Sequence, residues 1–144
     1  MNKAPYRTLA LALAAAGLAG AAQADPVSLS AHLTGAAEKP TAGDPDGMGH
    51  ATLKVDTAKN EICYTLMVEN IGQPLMAHIH KGGPDAAGPV AVPLTPPDSS
   101  GKSAACVTAD AAVVKDIADN PGGYYVNVHT ADFKAGAVRG QVMK

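Results

Sequence analysis

The sequence predicts an all-β fold with one short helix, an antiparallel, Greek-key-like sandwich or barrel. Three observations carry this. Seven or eight short segments alternate apolar and polar residues with the period of two that a half-buried strand requires. Clusters of Gly, Pro, Asn and Asp punctuate them at turn-like intervals, and a single stretch has helical spacing. Many short strands with one helix describe a β-sandwich or barrel better than an α/β layer.

Val27 to Leu33 opens the series, with Val27, Leu29, Ala31 and Leu33 on one face and Ser28, Ser30 and His32 on the other. Pro40 to Gly49 is too rich in Gly, Asp and Pro to be anything but a loop. Ala51 to Val55 and Ile62 to Val68, joined by the polar Thr57 to Asn60, form the simplest hairpin. Leu75 to His80 follows, and Lys81-Gly82-Gly83-Pro84 ends it. Val90 to Leu94 is a short strand whose Pro93 suits a sheet edge or a bulge. After the loop Thr95 to Lys102 and the strand Ala104 to Val107 comes the helix, with Thr108 as expected N-cap and Asp110 in its first turn. Val113, Val114 and Ile117 lie at helical spacing, and Asn120-Pro121-Gly122-Gly123 stops it. Tyr124 to Thr130 and Ala137 to Met143 complete the set, with a turn at Phe133 to Gly136.

The N-terminal residues speak to compartment. Lys3 and Arg7 precede an apolar run from Thr8 to Ala22, and Ala22-Gln23-Ala24 fits a small-x-small cleavage site. A signal peptide over residues 1–24 and a single domain over 25–144 are expected. The apolar run falls short of the ~20 residues of a spanning helix, and no later stretch reaches that length. The product is therefore expected to be exported, to the periplasm or beyond, with no stable membrane span after cleavage. Loss of Lys3 and Arg7 moves the formal charge from −2 to −4. Aromatics make up only 3% of residues and the cations are spread singly, which excludes a basic, base-stacking nucleic-acid surface. Cys63 and Cys106, an even pair in an oxidising compartment, are expected to form a structural disulfide worth about 4 kcal/mol through the long loop it closes.

Chemistry concentrates in the histidines. In a strand, His78 and His80 share the face opposite Leu75, Ala77 and Ile79. By the same parity Tyr125, Asn127 and His129 oppose Tyr124, Val126 and Val128. Both strands thus put histidines on the more polar side of an apolar stripe, which suits either a wet sheet face or a metal site. Two neutral imidazoles leaning together can ligate one ion at roughly 2 Å per bond, and His129 is the strongest candidate for a third, so His78, His80 and His129 are the expected ligands. Met76 shares the parity of His78 and His80 and offers a soft thioether, although packing is the usual role of a strand Met. His32 and His50 are weaker candidates, since nothing in the sequence places them at the site. No serine lies in a nucleophile elbow, and the Gly-rich segments are turns between strands, so a classical hydrolase is not supported.

Ala77-His78-Ile79-His80-Lys81-Gly82, Gly88-Pro89-Val90, and Asn120-Pro121 through Tyr124-Tyr125-Val126-Asn127-Val128-His129-Thr130, Gly136 and Arg139-Gly140-Gln141 resemble the CHRD domain family. This is the module of the developmental protein chordin, also found as single exported bacterial domains. The likeness runs from Leu33-Thr34-Gly35 with Glu38 to Gln141, departing at Lys39, Thr41 and Lys134. It implies an exported β-sandwich of immunoglobulin- or superoxide dismutase-like architecture. The two histidine strands also look distantly like the copper-ligand strands of copper/zinc superoxide dismutases, which would make His78, His80 and His129 copper-type ligands. The zinc cluster, bridging histidine and catalytic arginine of that family are not matched, and Arg139 sits in a different local motif, so fold analogy licenses no activity. The leading expectation is an exported domain binding a transition metal, copper favoured. A non-metal module docking an extracellular or periplasmic protein comes second, and a copper-only dismutase third.

Overall fold

The computed structural model describes Met1 and residues 24–144, so the expected signal peptide falls almost wholly outside the described residues. Eight strands follow one another: β1 (Val27–Thr34), β2 (Met48–Asp56), β3 (Glu61–Glu69), β4 (Met76–Lys81), β5 (Val90–Leu94), β6 (Lys102–Thr108), β7 (Tyr124–His129) and β8 (Val138–Met143). One α-helix, α1 (Ala111–Asp119), separates β6 from β7. All strand pairs are antiparallel, and the order β5-β4-β7-β8-β1-β2-β3-β6 makes one continuous sheet. The sheet curls into a nearly closed barrel, and the connections leaving β3 (residues 70–75) and β5 (residues 95–101) join strands that are not neighbours in the sheet.

The alternation of each strand selects its inward face. Leu29, Ala31, Leu33, Leu53, Val55, Ile62, Leu66, Ile79, Val126, Val128, Val138 and Val142 all point into one core and are almost fully excluded from solvent. At roughly 1.5–3 kcal/mol per buried large aliphatic side chain, this core is the main source of stability. The helix docks its Val114, Ile117 and Ala118 against the same core. Its N-cap is Asp110, whose carboxylate accepts from the backbone N–H of Ala112 at 2.9 Å and of Val113 at 3.3 Å. Thr108 was expected there, but it is the last residue of β6, paired with Glu61, and its backbone is committed to the ladder. At the other end Lys81 and Tyr124 both bond Asp116, at 2.9 Å and 2.6 Å, and tie the helix to β4 and β7.

The edges are β5 and β6. Pro93 lies on the first of these, and the β4–β5 register slips at Ile79/His80, as a strand carrying proline tolerates. On the second, Cys106 stands opposite Cys63 of β3 and is bonded to it, closing a loop of 43 residues. The expected disulfide is present.

Gly140 marks where the barrel closes most tightly. A Cβ at this position of β8 would lie 2.1 Å from the His32 carbonyl oxygen of β1, so only glycine allows the two backbones to approach.

Candidate metal centre

Cross-strand register brings the histidines together. Along β4 and β7, His80 pairs with Tyr125, His78 with Asn127 and Met76 with His129. His78 and His129 are therefore diagonal neighbours on one face. Their ring centroids are 5.0 Å apart, those of His78 and His80 5.3 Å, and those of His80 and His129 6.3 Å. One nitrogen from each ring lies within 4.8 Å of the other two.

Backbone carbonyls orient two of the rings. His80 Nδ1 lies 2.9 Å from the Gly88 carbonyl oxygen, and His129 Nδ1 lies 2.9 Å from that of Lys134. A carbonyl only accepts, so both Nδ1 atoms carry the proton and both Nε2 atoms present lone pairs. The His80 Nε2 is buried and has no hydrogen-bond partner, whereas the His129 Nε2 faces His78 Nδ1 at 3.1 Å. In the metal-free protein His78 Nδ1 must therefore be the donor of that last bond.

The residues fit a metal ion. Two nitrogens 3.1 Å apart subtend about 100° at an ion roughly 2.0–2.1 Å from each, within the range of tetrahedral and tetragonal sites. The third nitrogen, from His80, lies within 4.8 Å of the other two, and His78 is only half-buried. Imidazoles whose other nitrogen donates to a carbonyl are the usual outer-shell arrangement of metal-ligating histidine. Electrostatics keep the rings ready. Burial, then the neighbouring His129 and His80, hold the His78 pKa down at about 4. Burial also lowers His129, against the pull of the Lys134 carbonyl. Neutral imidazole is the ligating form, so protons compete poorly at these two positions.

The face carrying these histidines is not wet. His80 and His129 are 8% and 7% exposed, and every residue of β7 is buried. Of the two alternatives the parity left open, the wet sheet face does not hold for His80 and His129, and the reason is a roof of loops. Arg139 Nη1 donates to the Ala86 carbonyl at 2.8 Å and Nη2 to that of Gly83 at 2.7 Å. The Gln141 amide donates to the carbonyls of Gly82, Gly122 and Tyr124 at 2.9, 3.0 and 3.1 Å. Tyr125 adds its hydroxyl, which accepts from the Gly88 N–H at 3.0 Å. The Arg139 guanidinium lies 3.4 Å from the centroid of the Tyr125 ring, which itself stacks parallel to His80 at 4.8 Å. The Arg-Gly-Gln motif thus clamps the 82–89 loop over β4 and β7, and that loop carries the carbonyl that orients His80.

The neighbouring 35–47 segment contributes Glu38, 3% exposed. Burial pushes its carboxyl up to about 7, against the opposing influence of Arg139, Asn127 and the Lys39 backbone N–H. Its Oε1 and the Asn127 Oδ1 are both buried without partners. A Cβ on Gly136 would fall 2.2 Å from that Oε1. Glu38, Tyr125, Asn127, Arg139 and Gln141 form the polar layer under the roof. Sequence parity placed Tyr125 and Asn127 on the right face but gave neither of them a role, and Glu38 and Arg139 entered only through motif likeness.

The other candidates separate. Met76 sits opposite His129 at the exposed rim of the centre. His32 and His50 face each other across β1 and β2, away from the three-histidine group.

Fold and site define an all-β barrel domain whose outer sheet face buries a three-histidine cluster under clamped loops. The chain matches the CHRD domain over residues 29–142, and it belongs to that family. Comparisons with curated proteins and with solved structures return no match.

Proposed function

We propose that this CHRD domain is exported and binds one transition-metal ion through His78, His80 and His129. The observation that carries the reading is the pair of Nδ1–carbonyl bonds that turn two Nε2 lone pairs toward a third imidazole, one of them buried with no partner. Copper is favoured. The donor set is neutral nitrogen without carboxylate, which disfavours hard cations such as calcium and magnesium. Among divalent first-row ions of such a site, Cu(II) stands highest in affinity. The disulfide and the signal-like residues 1–24 support export.

Binding requires His78 to release Nδ1 as a ligand, so its proton must move to Nε2. Nitrogen-15 NMR of the imidazoles reads this directly: the metal-free protein should show His78 protonated at Nδ1, and a diamagnetic Zn(II) complex should show the opposite tautomer. Titration of Cu(II) should give a one-to-one complex, weakened at least tenfold by His78→Ala or His129→Ala. Affinity unchanged by either substitution would sink the reading.

A second reading, a module that docks another exported protein, is favoured by the exposed Leu75, Met76 and Val90 beside the same strands. A stoichiometric partner with no metal in elemental analysis of protein from its native compartment would support it. A copper-only dismutase stands third, and a copper-loaded sample no faster than copper in buffer would exclude it.

A further inference from the structure

On the open half of the sheet, the two histidines outside the cluster fall into a row. The register places His32 of β1 directly opposite His50 of β2, and His50 directly opposite Met67 of β3. All three side chains point away from the core, because Ala31, Leu33, Ala51, Leu66 and Val68 take the inward positions. Two residues along β2, Met48 stands opposite Glu69. These five side chains, with Gly49, line one shallow pocket of about 200 Å³. Met48 and Met67 are 45% and 44% exposed.

Glycine at position 49 contributes to the pocket's shape. It takes the inward position between the outward Met48 and His50, where a Cβ would lie 2.6 Å from the Met67 carbonyl oxygen and 3.1 Å from Val68, so it lines the pocket with backbone alone. Directly opposed residues on neighbouring antiparallel strands have Cβ atoms about 4.5–5.5 Å apart, and imidazoles and thioethers are long enough to converge from such positions. Two imidazoles with one or two thioethers are a soft, neutral donor set. Thioether selects cuprous ion over divalent first-row ions, in contrast to the all-nitrogen set under the roof. The Glu69 carboxylate at the pocket wall supplies compensating charge.

We infer that His32, His50 and Met67, with Met48 at the pocket wall, form a second, solvent-open metal site that takes a soft monovalent cation of the cuprous class. It is separate from the three-histidine centre, since β8 lies between β1 and β7 in the sheet. The open site would load from solution, while the roofed one holds its rings fixed by backbone carbonyls.

The test uses Ag(I), a redox-inert cation of the same charge and softness, added to the full chain in chloride-free buffer. Methionine ε-methyl carbons labelled with carbon-13 report on each thioether by NMR. Met67 should shift and saturate at one equivalent for this site. Met67→Leu or His50→Gln should weaken Ag(I) binding at the row at least tenfold, read at the His32 ring in the first case and at the Met67 methyl in the second. His129→Ala should leave the Met67 response unchanged, so failure of the roofed centre does not count against this site. Met143, 51% exposed and on another strand, serves as the control for a lone surface thioether. The inference is overturned if Met67 stays unshifted, responds no more strongly than Met143, or keeps its affinity after both His32→Gln and His50→Gln. His32, His50 and Met67 are exposed, His129 is buried, and an unchanged thermal midpoint confirms folding of each variant.

Discussion

The outer face of the sheet is one surface with two fates. On β1, β2 and β3 the outward residues His32, His50, Thr52, Lys54, Thr65 and Met67 stay in solvent. On β4, β7 and β8 the same parity yields His80, Tyr125, Asn127, His129 and Arg139, all buried. The inward faces of the two halves are alike, both lined with small and branched aliphatics. What differs is the roof, and it is polar: it is held by charge-assisted bonds from Arg139 to backbone carbonyls rather than by a second apolar core. A histidine in the open half keeps its water. In the roofed half His78 and His129 are desolvated, and burial is the first cause of their lowered proton affinity.

The largest effect should come from removing the clamp. Arg139→Ala deletes two charge-assisted bonds, the stack on Tyr125 and a wholly buried side chain, and should cost about 3–5 kcal/mol in urea unfolding. The same variant should make the 82–89 amides exchange faster and weaken metal binding, because the carbonyl that orients His80 is on that loop. Cleaving the Cys63–Cys106 bridge by a double Cys→Ala change should cost about 4 kcal/mol through the freed 43-residue loop, with no effect on metal affinity.

Under the roof, His78 and Glu38 respond to acid with opposite sign. The His78 pKa lies below its unfolded value of 6.5, so the unfolded chain takes up the proton first. Metal-free protein should lose stability on this account as pH falls from about 6.5 to about 4. Glu38 is raised from 4.5 to about 7, so the folded chain holds its proton longer, and the stability this gives is lost as pH rises through that window. Glu38→Gln mimics the protonated carboxyl. It should match the parent near pH 4.5 and exceed it by about 1–2 kcal/mol at pH 8, measured by chemical unfolding at both values. An equal difference at both pH values would contradict a buried, proton-holding carboxyl. The smallest change is expected on the open half. Thr52 and Thr65 share a 2.5 Å hydroxyl bond in full solvent, and Thr65→Ala should shift stability by less than about 0.5 kcal/mol.

The inward half of the fold was legible because strand period and turn residues are local signals. Each strand from Val27 to Met143 follows an alternating run, and parity put His78, His80 and His129 on one face before any contact was known. Asp110 taking the cap from Thr108 is a boundary shift, set by how far the β6 ladder runs. The roof was not legible, because its bonds from Arg139 and Gln141 to Gly82, Gly83 and Ala86 reach carbonyls more than fifty residues earlier in the chain, and a carbonyl has no residue type to read. Buried Glu38 is illegible for a related reason: its environment is made by Arg139, Asn127 and the missing Cβ of Gly136, which meet only in the folded chain. Direct opposition of His32, His50 and Met67 likewise required the register.

The central claim is that the roofed imidazoles hold one ion together. Electron paramagnetic resonance of the protein loaded with one equivalent of Cu(II), in a His32→Gln/His50→Gln background that removes the open row, tests it most directly. Nitrogen couplings from three imidazoles are predicted, falling to two in His129→Ala with at least tenfold weaker binding. A spectrum identical with and without His129 would contradict the account.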